Sequence, residues 1–173
     1  MNMNSRFYNT SFERVNDILN NPKYLAYIRD IETLEQDREF CRHNMEHFVS
    51  VARIAQIINL RENLHLGEEL IYATALLHDI GRAEQYRTGA DHAEVSAKLA
   101  PELIRSAGFN VTEEYMIVAA IREHRNAEML NNMQEPLSYA IYLADKLSRS
   151  CFYCDAFDRC NKDYEKRNLE LLI

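Results

Sequence analysis

Apolar residues recur along most of this chain at intervals of three and four, the spacing that places them on one face of a helix. No segment alternates apolar and polar residues convincingly over the length of a strand. The chain has only four Gly and three Pro, so it lacks the frequent turn signals of a strand-rich fold. The pattern predicts an all-α, bundle-like protein of seven or eight helices. Its clearest helix is expected over Phe40–Leu60, with the apolar stripe Phe48, Val51, Ile54, Ala55 and Ile58.

Capping and breaking residues predict where the other helices begin and end. A first helix is expected over Ser5–Leu19, and Asn21 caps a second with Pro22 at its first position. Gly67 precedes an apolar helix that ends near Ile80-Gly81. A loop is expected at Tyr86–Gly89, followed by a helix over His92–Ala107 that Pro101 breaks or kinks. The capping box Asn110/Glu113 opens a helix that runs to about Asn126. After Pro136 a helix is expected over Leu137–Ser148, and a last packed helix begins at Asn161.

Length and composition predict one domain over residues 1–173, of which 47% are hydrophobic. It divides into N-terminal helices (1–39), a helical core (40–150) and a Cys-containing C-terminal segment (151–173). The net charge of −7 argues against a surface for nucleic-acid polymers. No apolar stretch approaches the roughly 20 residues of a membrane span, and Met1–Thr10 lacks the apolar core of a signal peptide. The expected location is therefore cytoplasmic.

The adjacent residues His78 and Asp79 follow the apolar segment Leu70–Leu77. Neighbouring side chains on a helix point about 100° apart, so both can reach one ion only near a helix end or where the chain bends. A carboxylate among apolar neighbours is costly unless something compensates its charge, and a metal ion would do so. The alternative is an ordinary hydrogen bond between the two side chains.

Three more residues of metal-ligand type, His47, His124 and Asp145, lie on the apolar stripes of other predicted helices. One such residue would more often be a polar group satisfied inside the core. Several together favour a metal site, because His and carboxylate groups are the usual ligands of catalytic divalent ions.

The motifs that carry these residues resemble those of a known family. A single His, a His-Asp pair and a distant Asp, all on helices, are typical of the HD-domain phosphohydrolase superfamily, and the resemblance covers roughly residues 40–150. It implies a helical bundle in which His47, His78, Asp79 and Asp145 bind one divalent ion. The motifs are Glu46-His47-Phe48-Val49-Ser50, Leu77-His78-Asp79-Ile80-Gly81-Arg82 and Ala144-Asp145-Lys146.

A narrower resemblance concerns His92 and His124. Family members with two metal ions have two more histidines between the His-Asp pair and the last Asp, and this chain has His92 and His124 there. Asp79 would then bridge two ions. The alternative is that both histidines contact substrate at a one-metal site or belong to the core.

The resemblance implies a metal-dependent phosphohydrolase that cleaves a phosphate ester or anhydride, with a nucleotide as the expected substrate. One or two divalent ions of iron, manganese, cobalt, nickel or zinc would activate water, with Asp79 central to catalysis. The cations Arg82, Arg125 and Lys146 lie within a few residues of the predicted ligands and are expected to hold the phosphate. Their alternative role is that of solvated cations at helix ends.

Four cysteines pose a separate question. Cys151, Cys154 and Cys160 have the spacing Cys-x2-Cys-x5-Cys, and Cys41 is a candidate fourth ligand. Cys41 precedes His47 by six residues and Cys151 follows Asp145 by six, so antiparallel helices would bring both cysteines to one end. One hypothesis is that these cysteines bind a structural zinc or an iron–sulfur cluster. The alternative is that they are free thiols that pack as small hydrophobic side chains.

Three other functions compete with hydrolysis. A few members of the same superfamily are di-iron oxygenases, and others keep the fold as regulatory nucleotide-binding modules without chemistry. A helical interaction protein, in which the polar core residues pair with one another, would bind no metal. The sequence leaves a homodimer open, and it predicts that His43 lies on the surface or supports a ligand from behind.

Overall fold

The computed structural model describes residues 12–171 and residue 173, and every regular element in them is helical. The all-α prediction is confirmed, with eight α-helices in the described residues. They are α1 (Glu13–Asn20), α2 (Pro22–Leu34), α3 (Met45–Glu62), α4 (Glu68–Leu77), α5 (Arg82–Thr88), α6 (His92–Ser106), α7 (Val111–Glu123) and α8 (Pro136–Leu147).

The caps form where the sequence predicts them. Asn21 accepts a hydrogen bond from the backbone N–H of Lys23, and Pro22 occupies the first position of α2. At α7, the Asn110 side chain accepts from Thr112 and Glu113, while the Glu113 carboxylate accepts from the Asn110 backbone N–H. These contacts satisfy backbone donors that the first turn of a helix leaves without partners.

Several predicted boundaries need correction in the first half. Of the predicted helix Ser5–Leu19, residues 5–11 lie outside the described residues, and the described helix begins at Glu13. The third helix begins at Met45 instead of Phe40, because the Asn44 side chain caps it by accepting from the His47 N–H. The predicted loop at Tyr86–Gly89 is wrong for Tyr86–Thr88, which are helical. Helix α5 contains no Gly or Pro, and Gly89 is its C-cap.

The second half also differs from expectation. Helix α6 continues through Pro101, because buried residues before and after the proline pack on the same core. Helix α7 ends at Glu123, and His124 is its C-cap. In place of the predicted last helix, the described tail forms 3-10 turns. Of the leucines that suggested a packed face, Leu169 and Leu171 are exposed, and Leu172 lies outside the described residues.

Arg167 holds this tail together, and Asn168 ties it to the helical core. The Arg167 guanidinium donates to the carbonyl oxygens of Phe157, Cys160 and Lys162. The Asn168 amide donates to the carbonyls of Lys146 and Arg149 at 2.8 Å each. The tail therefore lies against the C-terminal end of α8.

Helix α3 packs against α4 and α8, and α7 packs against α6 and α8. One cluster of buried aliphatic and aromatic residues extends through these helices and α1. The arrangement brings the C-terminal ends of α4, α7 and α8 towards the N-terminal ends of α3 and α6. None of the helices in the described residues is long and apolar enough to pass through a membrane.

Gly81 allows the turn after α4 to lie directly against α6. A Cβ at this position would be 2.6 Å from the His92 carbonyl oxygen and 2.7 Å from the Ser96 backbone nitrogen. The Gly81 N–H also donates to the Ser96 hydroxyl at 2.9 Å. Since the clash involves backbone atoms, a side chain here must move α6 away from His78 and Asp79.

We expect Gly81→Ala to lower the free energy of unfolding by roughly 1–3 kcal/mol, because the added methyl overpacks a backbone contact. Gly67→Ala is the matched control, since its Cβ would meet nothing within 4 Å. Urea unfolding followed by circular dichroism measures both. Equal stability of the two variants would contradict the close-packing role of Gly81.

Candidate metal centre

The His-Asp pair lies in the turn that joins α4 to α5, and both side chains are fully buried. Helix α4 ends at Leu77 and His78 is its C-cap. The His78 Nδ1–H donates to the Ala75 carbonyl at 2.7 Å, which turns Nε2 towards the interior of the site. Adjacent side chains on one helix would point about 100° apart. Asp79 avoids this restriction because it lies beyond the end of the helix.

A first cluster of potential ligands consists of His47, His78 and Asp145, whose ligand atoms all lie within 4.8 Å of one another. The Asp145 Oδ1 is 3.4 Å from the His47 Nε2 and 3.8 Å from the His78 Nε2. His47 comes from the first turn of α3 and Asp145 from the last turn of α8. The Ser148 hydroxyl lies 3.2 Å from the His47 Nδ1 and orients that ring.

A second cluster consists of Asp79, His92 and His124, all buried. The Asp79 Oδ1 is 3.1 Å from the His92 Nε2 and 3.5 Å from the His124 Nε2, and the two imidazole nitrogens are 3.2 Å apart. The His124 Nδ1–H donates to the Ile121 carbonyl at 2.6 Å, so its Nε2 also points inward.

Asp79 lies between the two clusters and presents one oxygen to each. Its Oδ2 is 3.4 Å from the His78 Nε2 and 3.9 Å from the His47 Nε2, while Oδ1 faces His92 and His124. A carboxylate shared in this way between two sets of nitrogen and oxygen donors is suited to bridging two divalent ions.

Orphaned polar atoms test whether a metal fits. Among the described residues, the buried side-chain atoms without a hydrogen-bond partner include His47 Nε2, His78 Nε2 and Asp79 Oδ2. All three face the same point between α3, α4 and α8. Leaving buried polar atoms unpaired is costly, and ligation of a cation would satisfy all three at once. The donor set fits a divalent transition metal.

The electrostatics of the pair also favour positive charge at this point. Burial alone would lower the pKa of His78, but the carboxylates of Asp79 and Asp145 raise it to about 9. Burial alone would raise the pKa of Asp79, yet His78 and Arg82 hold it well below its usual range. Two buried carboxylates thus require a positive charge between them.

His47 and His92 are held neutral, as metal ligands must be. Burial and, to a smaller extent, the positive charge of Arg149 lower the pKa of His47 to about 2, against the opposing effect of Asp145. Burial likewise lowers the pKa of His92 to about 4, although Asp79 opposes the shift. Their lone pairs are available for ligation at neutral pH.

Two of the three predicted phosphate-binding cations line one cavity at the site. The cavity measures about 590 Å³ and is bordered by Asp145, Arg82 and Lys146. The Arg82 Nε pairs with Asp79 at 3.0 Å, and the Lys146 Nζ pairs with Asp145 at 2.6 Å. Arg125 is instead half exposed and pairs with Asp91, so the structure does not bring it to this cavity.

Sequence reasoning missed a buried group behind the site. The Glu35 carboxylate is 2% exposed, accepts from the His43 backbone N–H at 2.6 Å and lies 2.5 Å from the His43 Nδ1. Tyr86 donates to the same carboxylate. The His43 Nε2 is 3.7 Å from the Asp79 Oδ2, so His43 supports a candidate ligand from behind. Glu35 stands in a run of charged residues, and no local pattern distinguishes it.

The cysteines do not form one cluster. Cys41, Cys151 and Cys154 line a cavity of about 310 Å³ beside His47, while Cys160 is not among its lining residues. All four are free thiols, and no group of three potential ligands in the described part of the chain includes a cysteine. The structure therefore contains no preformed four-cysteine site for zinc or an iron–sulfur cluster. Cys41 precedes α3, so the helix assumed to carry it does not reach it.

Comparisons with known proteins identify the family of this chain. The family model of the HD domain matches residues 44–150, which contain all six candidate ligands. An uncharacterized protein of Clostridium beijerinckii is 42% identical over 159 residues, which are 92% of this chain and 98% of that protein.

A solved structure is similar as well. The crystal structure of a predicted HD superfamily hydrolase from an uncultured Thermotogales bacterium is 28% identical, with a TM-score of 0.54. The similarity covers 71% of this chain and 66% of that one, slightly less than two thirds of its length.

We expect Glu35→Gln to destabilise the protein in a pH-dependent way. Burial would raise the pKa of Glu35, but hydrogen bonds from His43 and Tyr86 lower it from 4.5 to about 2. A lowered carboxyl pKa contributes stability above the unfolded value, and that contribution disappears as the pH falls towards the folded value. The variant should therefore lose roughly 2–3 kcal/mol at neutral pH, and the loss should diminish between pH 4.5 and about 2.

Denaturant unfolding between pH 7 and 3 measures this difference. Glu32→Gln is the control, because Glu32 is an exposed carboxylate in the last turn of α2, the helix whose C-cap is Glu35. A Glu35→Gln penalty that is independent of pH, or one that Glu32→Gln shares, would contradict the assigned hydrogen bonds.

Proposed function

This chain belongs to the HD domain family, a superfamily of metal-dependent hydrolases, and we propose that it is a phosphohydrolase acting on a phosphate ester or anhydride. A nucleotide is the proposed substrate class. The observation that carries the proposal is the position of Asp79 between two clusters of candidate ligands, with one oxygen facing each. We infer two ions: one held by His47, His78, Asp79 and Asp145, and one held by Asp79, His92 and His124.

Divalent ions bound here would lower the pKa of water and draw charge from the phosphoryl oxygens. The chain's own residues prepare the site for that chemistry. The backbone carbonyl of Ala75 fixes the ring of His78, and that of Ile121 fixes the ring of His124. The Ser148 hydroxyl fixes the ring of His47. Ligands held in this way do not need to reorganise during the reaction.

Arg82 and Lys146 are proposed to bind the phosphate. Each pairs with a carboxylate that a metal would also contact, so ion binding would leave both cations available for an anionic substrate. Asp79 and Asp145 then serve the metal, while the two cations face the cavity. Because His78 and Asp79 are fully buried, bulk water is excluded from most of the site.

Elemental analysis of protein reconstituted with manganese, iron, cobalt, nickel or zinc tests the metal assignment. We expect about two ions per chain in the wild type, none in His78→Ala combined with Asp79→Ala, and one in His124→Gln. His65→Asn is the control, because His65 is exposed and has a positive φ that Asn tolerates. Circular dichroism verifies that each variant is folded. A wild type that binds no ion would overturn the assignment.

Phosphate release from nucleotides by the same preparations tests the activity. We expect hydrolysis in the wild type and in His65→Asn, a loss of at least about a hundredfold in the double variant, and no requirement for oxygen. Oxygen consumption without phosphate release would instead indicate an oxygenase. Bound metal with neither reaction, over a broad nucleotide screen, would leave a regulatory module.

A further inference from the structure

The cavity beside Asp145 gathers more positive charge than one phosphate requires. Among the residues that the structure describes, Asp145 is its only lining carboxylate. The whole chain has 20 Lys and Arg residues and a net charge of −7, so this concentration does not follow from composition. The cationic side chains that line the cavity are Arg38, Arg82, Lys146, Arg149, Lys162 and Lys166.

Three of these cations lie outside the region that matches the HD domain. Arg38 precedes α3, and Lys162 and Lys166 belong to the tail after α8. The tail reaches the cavity because Arg167 donates to the Lys162 carbonyl and Asn168 donates to the carbonyl of Lys146. The cationic wall is therefore built from segments on both sides of the matched domain.

These outer cations are not committed to the metal site. In the described residues no carboxylate oxygen lies within 4 Å of Lys162, and Lys166 pairs only with Asp163 in an exposed ion pair. Arg38 lies 3.8 Å from Glu35 and donates to the Cys41 carbonyl. The exposed Lys166–Asp163 pair is worth little and exchanges readily for a stronger anion. Like charges so close together repel each other until an anion enters.

We propose that Arg38, Lys162 and Lys166 form a subsite for a further phosphate, so that the preferred substrate carries two or more phosphates in sequence. The proposal rests on the phosphohydrolase function: one phosphate would lie at the metal clusters with Arg82 and Lys146, and the next on the outer cations. A cavity of about 590 Å³ accommodates a ligand of this size. The shared chemistry is a phosphate chain, from a nucleoside di- or triphosphate or from an inorganic polyphosphate.

Binding of unhydrolysable probes to the metal-loaded full chain tests the subsite without any turnover. Methylenediphosphonate carries two phosphonates and methylphosphonate one. We expect the wild type to bind the diphosphonate about tenfold or more tightly, and Lys162→Gln combined with Lys166→Gln to lose most of that preference. Lys23→Gln with Lys98→Gln is the control, because both lysines are exposed and line no part of this cavity.

Calorimetry gives the affinities, and metal content is measured again afterwards so that chelation is not mistaken for binding. The subsite would be overturned if the wild type and the Lys162/Lys166 variant preferred the diphosphonate equally. It would also be overturned if the control variant lost as much of that preference as the Lys162/Lys166 variant. If the preference depends on these lysines but no phosphate compound is hydrolysed, the subsite stands and the phosphohydrolase function fails.

Kinetics then distinguish the source of the phosphate chain. For a nucleoside monophosphate we expect the Lys162/Lys166 variant to keep kcat/KM within about twofold, whereas kcat/KM for the triphosphate falls about tenfold, mainly through KM. Cleavage of inorganic tripolyphosphate as efficiently as the nucleotide would indicate a polyphosphate substrate. Cleavage of the nucleotide alone would indicate a nucleoside polyphosphate. A uniform decrease for all three compounds would contradict the subsite.

Discussion

The carboxylate of Asp79 has no access to water, and the rest of the site is arranged around that constraint. A buried charge is tolerated only where opposite charge and hydrogen-bond donors surround it. Five imidazoles and the Arg82 guanidinium approach its two oxygens within 4 Å, from four different parts of the chain. The same carboxylate divides the ligands into two clusters, so one electrostatic requirement organises both the packing and the chemistry.

The candidate metal ligands of this protein lie at the ends of helices, not in the middle of their faces. His78 caps α4, His124 caps α7, His47 and His92 lie in the first turns of α3 and α6, and Asp145 lies in the last turn of α8. Residues at helix ends can turn their side chains inward without losing the helical hydrogen bonds that the core depends on. The absence of a Cβ at Gly81 then lets the turn and α6 approach closely enough for Asp79 and His92 to meet.

Beyond the matched domain, the flanking segments give the site its particular electrostatics. Glu35 and His43 support Asp79 from behind, and Arg38, Lys162 and Lys166 extend the cavity with positive charge. Since the matched domain contains the candidate metal ligands and the flanking segments surround them, the choice of substrate and the choice of metal can depend on separate residues. An acidic protein that concentrates cations in one cavity favours a highly anionic ligand there over anions elsewhere on its surface.

The sequence by itself determined the helical class, the capped ends at Asn21 and Asn110, and the identity of the residues that meet at the two clusters. These features depend on local periodicity, on side chains that bond to their own backbone, and on motifs only a few residues long. It did not predict the continuation of α6 through Pro101, the 3-10 turns of the tail or the buried Glu35. Those depend on contacts with residues far away in the chain, which outweigh local preference. Arg82 and Arg125 show the same limit: both adjoin a candidate ligand, and only the tertiary structure decided that one faces the cavity while the other pairs with Asp91 in solvent.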